Sequence, residues 1–509
     1  MNSYSVGWRD YMNKVQALEL LFAKIEEIHH ISSALSIIQW DASTTGVPEK
    51  SLATRGESVG WLSGRIFNRM VASDTMEAIE TLEACGSELT DYEAAMTRNL
   101  GRTCRKMQAV PSDEFEEFSS LTAQAQMVWE TARAKDDFNL ILPYYEKIFA
   151  YQRRLCDWYG YMDNPYNALL DDYERDASVE ILDDFFSVLS DRILPLVKEI
   201  TLNGRNPREI VGVFDIEKQK ELLPWLTDFV GFDRTRGKTG EVEHPFTISV
   251  DNNDVRISTK YHSDSILSSI YSIIHESGHG IYEQNFLRAL RRYDLADGAS
   301  MGIHESQSRL YENIFCRSRA FSGLLLHKLQ GLYDYFNDWN EDSFYRALNI
   351  SRPSLIRIEA DELTYCLHIM IRYELEKALI NGDIKVADLP EIWNDRYAEV
   401  IGIRPSNDAK GVLQDIHWSG GLVGYFPTYA IGTAYGAQIV HAMEKTINTD
   451  ECIRSGSLSE ATAWLNENIH QYGSLLLPGD LLKKATGESF NPKYYTDYLH
   501  NKFSELYLK

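Results

Sequence analysis

The stretch IIHESGHGIYEQ, Ile273–Gln284, places two histidines four residues apart with a glutamate directly after the first. Just upstream, Ile266, Ile270, Ile273 and Ile274 recur at i, i+4, i+7 and i+8, the period of a helix with one apolar face. Ser263 or Asp264 offers a cap at which that helix would begin. On it His275 and His279 lie one turn apart on one face, so both imidazoles can reach a single ion. Glu276 is rotated toward the water that ion would hold. Gly278 and Gly280 each weaken a helix by about 1 kcal/mol relative to alanine, a cost that makes sense where bulk beside a bound group must be avoided.

A catalytic zinc takes three protein ligands and keeps its fourth position for water, so a third ligand is needed. Downstream, GIHESQSRLYEN, Gly302–Asn313, has Ile303, Leu310, Ile314 and Phe315 at near-helical spacing, which leaves Glu305, Arg309 and Glu312 on another face. Either Glu305 or Glu312 could complete a two-histidine, one-glutamate site. The competing reading of that face is a solvated row of i, i+3 and i, i+4 ion pairs.

Upstream of the histidine helix, HPFTISV (His244–Val250) and DVRISTKY (Asp254–Tyr261) are two β-rich runs joined by Asp251, Asn252 and Asn253, which predicts a hairpin. The segment before it, Asn203–Glu243, is glycine-bearing and charge-rich and reads as an irregular connection. The first 200 residues carry apolar positions at helical spacing, as in Leu18, Leu21, Phe22, Ile25 and Ile28. With no internal repeat and no linker-like tract, the prediction is a mainly α, large helical protein with a small β-hairpin or sheet beside a deep cleft. Residues 1–509 form one catalytic domain in this reading, in two lobes around the cleft.

The 509 residues carry 51 Lys and Arg against 75 Asp and Glu, a net charge of −24 that repels phosphate backbones and anionic lipid surfaces. Neither nucleic acid nor membrane is expected as a partner, although a local positive pocket inside an acidic protein could still hold an anionic group. The six cysteines are scattered without a Cys-x-x-Cys pair, as expected of reduced thiols. MNSYSVGWRDYMNKV (residues 1–15) lacks a basic-then-apolar leader, and no apolar run reaches about 18 residues. The expected compartment is the cytoplasm.

Six separated motifs then resemble the carboxypeptidase Taq family of zinc metallocarboxypeptidases: HPF (His244–Phe246), DVRIS (Asp254–Ser258), HESGH (His275–His279), HESQ (His304–Gln307), IRIEAD (Ile356–Asp361) and GVLQDIHW (Gly411–Trp418). The N-terminal WDASTTGVPEKSLATRGE extends the likeness to nearly the whole chain. Two positions depart from the family pattern: Ser258 stands where a threonine is usual, and Gly46 and Val47 where a methionine is. The resemblance implies His275, His279 and Glu305 as ligands of one Zn2+ per chain, or another divalent ion such as Co2+. It further implies Glu276 as general base and acid, a homodimer, and removal of single residues from peptide C-termini.

Within that chemistry, His417 and Tyr425 are candidates to stabilise the oxyanion. Arg357 is the first candidate to capture the substrate carboxylate by bidentate hydrogen bonds, with Arg256 second. The competing reading of Arg357 is an exposed side chain paired with Asp361 at i+4. His244, before Pro245, suits substrate contact and a strand start equally, and Asp254, His304, Gln414 and Asp415 suit supporting roles around ligands or arginines. Two rival functions remain open on sequence alone: a zinc oligopeptidase or dipeptidyl carboxypeptidase, and a noncatalytic zinc-stabilised binding protein.

Overall fold

The histidine helix spans Ile266–Gln284 and buries Ile266, Ile270, Ile273 and Ile274, the stripe read from the sequence. It starts two residues later than a cap at Ser263 would place it and one later than a cap at Asp264 would. Ser265 occupies the cap position without a side-chain hydrogen bond, so burial of the isoleucines, rather than a capping side chain, fixes where the helix begins. The structure, a computed structural model, describes residues 12–509. The N-terminal stretch read for the absence of a leader lies outside the described residues up to residue 11.

The described residues are predominantly helical with one three-stranded sheet in the order β1-β3-β2, where β1 is Gly237–Glu241, β2 is Thr247–Asp251 and β3 is Asp254–Thr259. The hairpin is present: β2 pairs antiparallel with β3, Thr247 opposite Ile257. The segment Asn203–Glu243 is more ordered than its composition suggested. It contains the helix Ile216–Val230, capped by Asp215, and β1, which pairs parallel with β3. Its glycines mislead because Gly240 is where a Cβ would strike the Trp40 ring at 2.7 Å and Gly237 where one would strike Phe232 at 2.3 Å. They permit close packing of the strand and do not interrupt it.

Leu21 and Ile25 of the first helix, Lys14–Thr44, belong to a small apolar cluster with Ile79, Leu82, Met96 and Leu100. A far larger cluster contains the histidine helix, the helix Met301–Arg309 and the helix Phe426–Met443. Met301–Arg309, which carries the HESQ motif, lies between the other two at near-backbone distance. A Cβ on Gly278 would come within 2.6 Å of Ser308 Cα, and one on Gly432 within 2.8 Å of the Gly302 carbonyl oxygen. Gly278 therefore serves helix packing, and Gly280 faces Phe232 and Ile257. Neither glycine makes room beside a bound group, which corrects the sequence reading. The chain runs on from Met301–Arg309 as one turn of π-helix, Leu310–Phe315, which bears Glu312. Among the described residues no helix is long and apolar enough to cross a membrane.

Candidate metal centre and active site

His275 and His279 turn their Nε2 atoms toward Glu305 Oε2, at 3.9 and 3.6 Å. One ligand-type atom from each of the three residues lies within 4.8 Å of the others. The fold therefore brings both histidines and Glu305 around one point, with the helix Met301–Arg309 supplying the carboxylate from across the Gly278 contact.

The outer nitrogens explain how the rings are held. His275 Nδ1 is 2.8 Å from Glu312 Oε2, so a proton on Nδ1 donates to the carboxylate and leaves Nε2 bare. His279 Nδ1 is 2.6 Å from His304 Nδ1, whose Nε2 is 2.9 Å from Glu283 Oε1. That chain is satisfied when His304 donates to Glu283 and accepts from His279, which again leaves Nε2 of His279 bare. Both tautomers point a lone pair at the Glu305 oxygen, the donor chemistry a divalent cation such as zinc requires.

Electrostatics agree with this donor set. Burial, with His304 and His275 beside it, holds the pKa of His279 well below the usual histidine value, so the ring is neutral. Burial opposes charge on His275 as well, but Glu312 and Glu305 outweigh it and raise its pKa. The two glutamates thus favour positive charge beside His275, while His279, with cations around it, stays neutral. Arg309 donates to Glu305 Oε1 at 2.7 Å and to Glu312 Oε2 at 3.2 Å, so Glu305, Arg309 and Glu312 do share a face, but a buried one.

Glu276 lines the same cavity, of about 330 Å³, together with Thr247, His275, His279, Glu305 and Tyr425. Thr247 Oγ1 donates to Glu276 Oε2 at 2.6 Å. Burial raises the Glu276 pKa above the ordinary carboxylate value, against the lowering effects of His275 and Thr247. Thr247 was not singled out in the sequence; the only signal was its place directly after HPF, and no spacing rule links it to Glu276. Tyr429, one turn after Tyr425, also lines the cavity, its ring 5.3 Å from that of Tyr425.

The remaining candidates lie outside the lining. Arg357 is buried, 6% exposed, in a short 3₁₀ turn, and bonds Asp415 Oδ1 through Nε and Nη2 at 3.0 and 2.9 Å. Its i+4 neighbour Asp361 instead accepts from Thr364; a 3₁₀ turn ending at Glu359 does not keep i and i+4 side chains on one face. The guanidinium lies 5.2 Å from the Tyr429 ring centre, one layer behind the cavity wall. Asp415 is shared with Arg372, whose Nε and Nη2 reach Oδ2 at 2.8 and 2.5 Å.

His417 packs 4.5 Å from Phe426 and 5.7 Å from Tyr425 by ring centroids. Burial lowers its pKa to about 4, so it is neutral at pH 7, and its Nδ1 is enclosed without a hydrogen-bond partner among the described residues. Arg256 is buried, bonded to Asp254 at 2.8 and 2.6 Å, and 5.8 Å from the Trp40 ring centre. Trp40 also meets Phe246 edge-on, which joins the N-terminal WDAST motif to the hairpin. His244 is exposed at the start of the hairpin, outside the cavity lining.

Known proteins resemble the chain along nearly all of its length. It is 41% identical over 491 residues to carboxypeptidase 1 of Bacillus subtilis, covering 96% of this chain and 98% of that one. It is 36% identical to thermostable carboxypeptidase 1 of Pyrococcus furiosus, again covering 96% and 98%. Among solved structures, the Trypanosoma cruzi metallocarboxypeptidase 1 superposes with a TM-score of 0.91 at 33% identity, covering 96% of this chain and 99% of that one. A sequence model of the carboxypeptidase Taq (M32) metallopeptidases matches residues 20–503, and the chain belongs to that family.

Proposed function

We propose that this metallocarboxypeptidase holds one Zn2+ on His275, His279 and Glu305 and removes single residues from peptide C-termini, with Glu276 as base and acid. The observation that carries the reading is the meeting of three ligand-type atoms within 4.8 Å on the wall of the cavity that Glu276 lines. When bound, such an ion polarises a carbonyl oxygen and acidifies water. Glu276, its carboxylate oriented by Thr247 and its pKa raised by burial, takes the proton of the attacking water and delivers it to the departing amine. The Tyr425 hydroxyl, on the same cavity wall, donates to the carbonyl oxygen as negative charge develops there. His417, neutral and packed on Phe426, positions that tyrosine's loop.

Carboxylate recognition rests on Arg357 in this proposal. Asp415 is shared by two arginines, so the buried trio carries a net charge of +1 just behind Tyr429. Arg256 stays the second candidate for the carboxylate and His244 a candidate for substrate contact or the strand start, both outside the cavity lining. The chain works as one catalytic unit with the smaller apolar cluster as its second lobe. A homodimer follows from the family resemblance, and a cytoplasmic setting is supported by six free cysteines, five of them buried.

The test is mass spectrometry of a peptide digested by metal-loaded protein, beside a chelated control and a C-terminally amidated copy. A ladder of single-residue losses, absent with chelator and suppressed by amidation, is expected. Internal or dipeptide cuts would overturn the specificity. In Glu276→Gln the turnover should fall by roughly 10²- to 10⁴-fold with zinc retained, and retained turnover would remove Glu276 from the base role.

A further inference from the structure

The helix Asp91–Ala109 carries Arg98, Arg102, Arg105 and Lys106 at i, i+4, i+7 and i+8, so four cations share one face. Arg175, just beyond the helix Tyr166–Tyr173, reaches the same place. The five line a cavity of about 740 Å³ in which, among the described residues, Glu83 is the single lining carboxylate. Asp171 and Asp172 pair with Arg102 and Lys106 from outside that lining, so the positive face is confined to the cavity wall.

Three of the five cations are neutralised nearby. Arg102 and Lys106 meet Asp171 at 2.6 and 2.7 Å, and Arg105 meets Glu83 at 2.9 Å. Arg98 and Arg175 differ: among the described residues neither has a carboxylate within ion-pair distance. Both donate to the same neutral acceptor, Asn99 Oδ1, at 3.2 and 2.8 Å, and Arg98 also donates to the Leu475 carbonyl at 3.0 Å. Burial lowers the pKa of each; Asp480 and Asp176 partly offset this for Arg98, while for Arg175 the charges of Arg102 and Arg98 add to it and Asp171 and Asp176 partly offset it. Two half-buried guanidiniums sharing one amide oxygen keep most of their donors unused. An anion with several oxygens would supply the missing acceptors.

We propose that this cavity binds a phosphate-bearing anion, its oxygens accepting bidentate hydrogen bonds from Arg98 and Arg175, with Arg102 at its edge. The cavity is larger than one phosphate group and within the range of small-molecule sites. The ligand is therefore a polyphosphate or a nucleotide, which share the same anchoring chemistry. Neither arginine belongs to the peptidase centre, whose cavity is lined by other residues.

Isothermal titration of the metal-loaded full-length protein with inorganic pyrophosphate, and separately with ATP, tests the site. Saturable binding is expected for the unsubstituted protein, weakened on the order of tenfold to a hundredfold in Arg175→Gln, as for loss of a hydrogen bond to a charged group, and lost in R98Q/R175Q. Equal affinities identify the phosphates alone as the recognised group, and tighter ATP binding adds the nucleoside; both support the site. Phosphates bound at the peptidase metal would give heats that survive both substitutions, and that result overturns the proposal, as does absence of saturable binding. Should the double variant not fold, Arg175→Gln decides alone, since Asn99 is the hydrogen-bond partner its guanidinium gives up; unchanged turnover of a reference peptide verifies its fold.

Discussion

Replacing Glu312 by glutamine tests how the candidate metal centre is built. Glu312 Oε2 lies 2.8 Å from His275 Nδ1 and 3.2 Å from Arg309 Nη1, and Oε1 lies 3.8 Å from Arg317 Nη2. Burial works against its charge, but Arg309 and His275 outweigh burial and hold its pKa down at about 2. Glutamine keeps the shape and one acceptor for His275 and removes the charge that makes the imidazole a better donor. Changes of this kind behind a ligating histidine cost 10- to 100-fold in metal affinity, about 1.4–2.7 kcal/mol.

The assay is competition for zinc against a chromophoric chelator, with Glu305→Gln beside it. Glu312→Gln is expected to bind zinc 10- to 100-fold more weakly, and Glu305→Gln to lose considerably more. A Glu312→Gln affinity within about threefold of the parent would refute the supporting role, and the reverse order of the two variants would make Glu312 the ligand. A second readout follows from linkage. Because the folded pKa of Glu312 lies below its ordinary value of 4.5, its stabilisation is present above pH 4.5 and fades as pH falls toward about 2. From 4.5 to about 2, at about 1.36 kcal/mol per pH unit, the effect is on the order of 3 kcal/mol. In the metal-free protein the stability difference between parent and variant should therefore shrink over that window.

Gly278→Ala should destabilise by about 1–3 kcal/mol despite the higher helix propensity of alanine, because the new methyl would sit 2.6 Å from backbone Cα of Ser308; an unchanged or raised melting temperature would show that the two helices can separate freely. Asp415→Ala leaves Arg357 and Arg372 buried together without their counter-ion, a loss of about 3–5 kcal/mol to be read by urea denaturation, with a loss below about 1 kcal/mol counting against the buried trio. Glu376 accepts hydrogen bonds from Tyr166, Trp418 and the Gly424 amide and is pushed up to about 7 by burial. The folded state then keeps a proton that the unfolded chain has released, so stability falls as pH rises from 4.5 to about 7 and levels off above. Glu376→Gln, with no proton to release, should lose that slope, and identical slopes in both proteins would mean the carboxyl does not titrate there.

What could be read in advance divides by distance along the chain. The isoleucine stripe, the hairpin and the two motif-bearing helices were legible because each is a local period of apolar or β-branched residues. The 3₁₀ turn at Arg357 was not, since a short motif rich in charges carries no period, and Asp361, the i+4 partner of the competing reading, was accordingly the wrong acid. The strand Gly237–Glu241 was hidden by glycines that exist to admit Trp40 and Phe232. Convergence of Glu305 on the histidines needed the family motif as well as spacing, because local pattern left Glu305 and Glu312 equivalent. The structure separates them by which side of His275 each one faces, Nε2 or Nδ1.

Several hydrogen-bond partners that shape the site are distant in sequence: Thr247 for Glu276, Glu283 for His304, and Asp415 for Arg357 and Arg372. Charges of opposite sign dominate around the histidines and behind Tyr429. Around the histidines, Glu276, Glu283, Glu305 and Glu312 face two guanidiniums, Arg309 and Arg317. Behind Tyr429, two guanidiniums face one carboxylate. A cation is favoured on the first side and an anion toward the second. A peptide whose terminal carboxylate points to Arg357 would then present its last amide bond toward His275 and His279, and amidation would remove only the orienting charge. The proposed exopeptidase specificity is in this sense a property of charge placement across the cavity, so it should weaken in Arg357→Gln through KM for free peptides while leaving the amidated peptide unaffected.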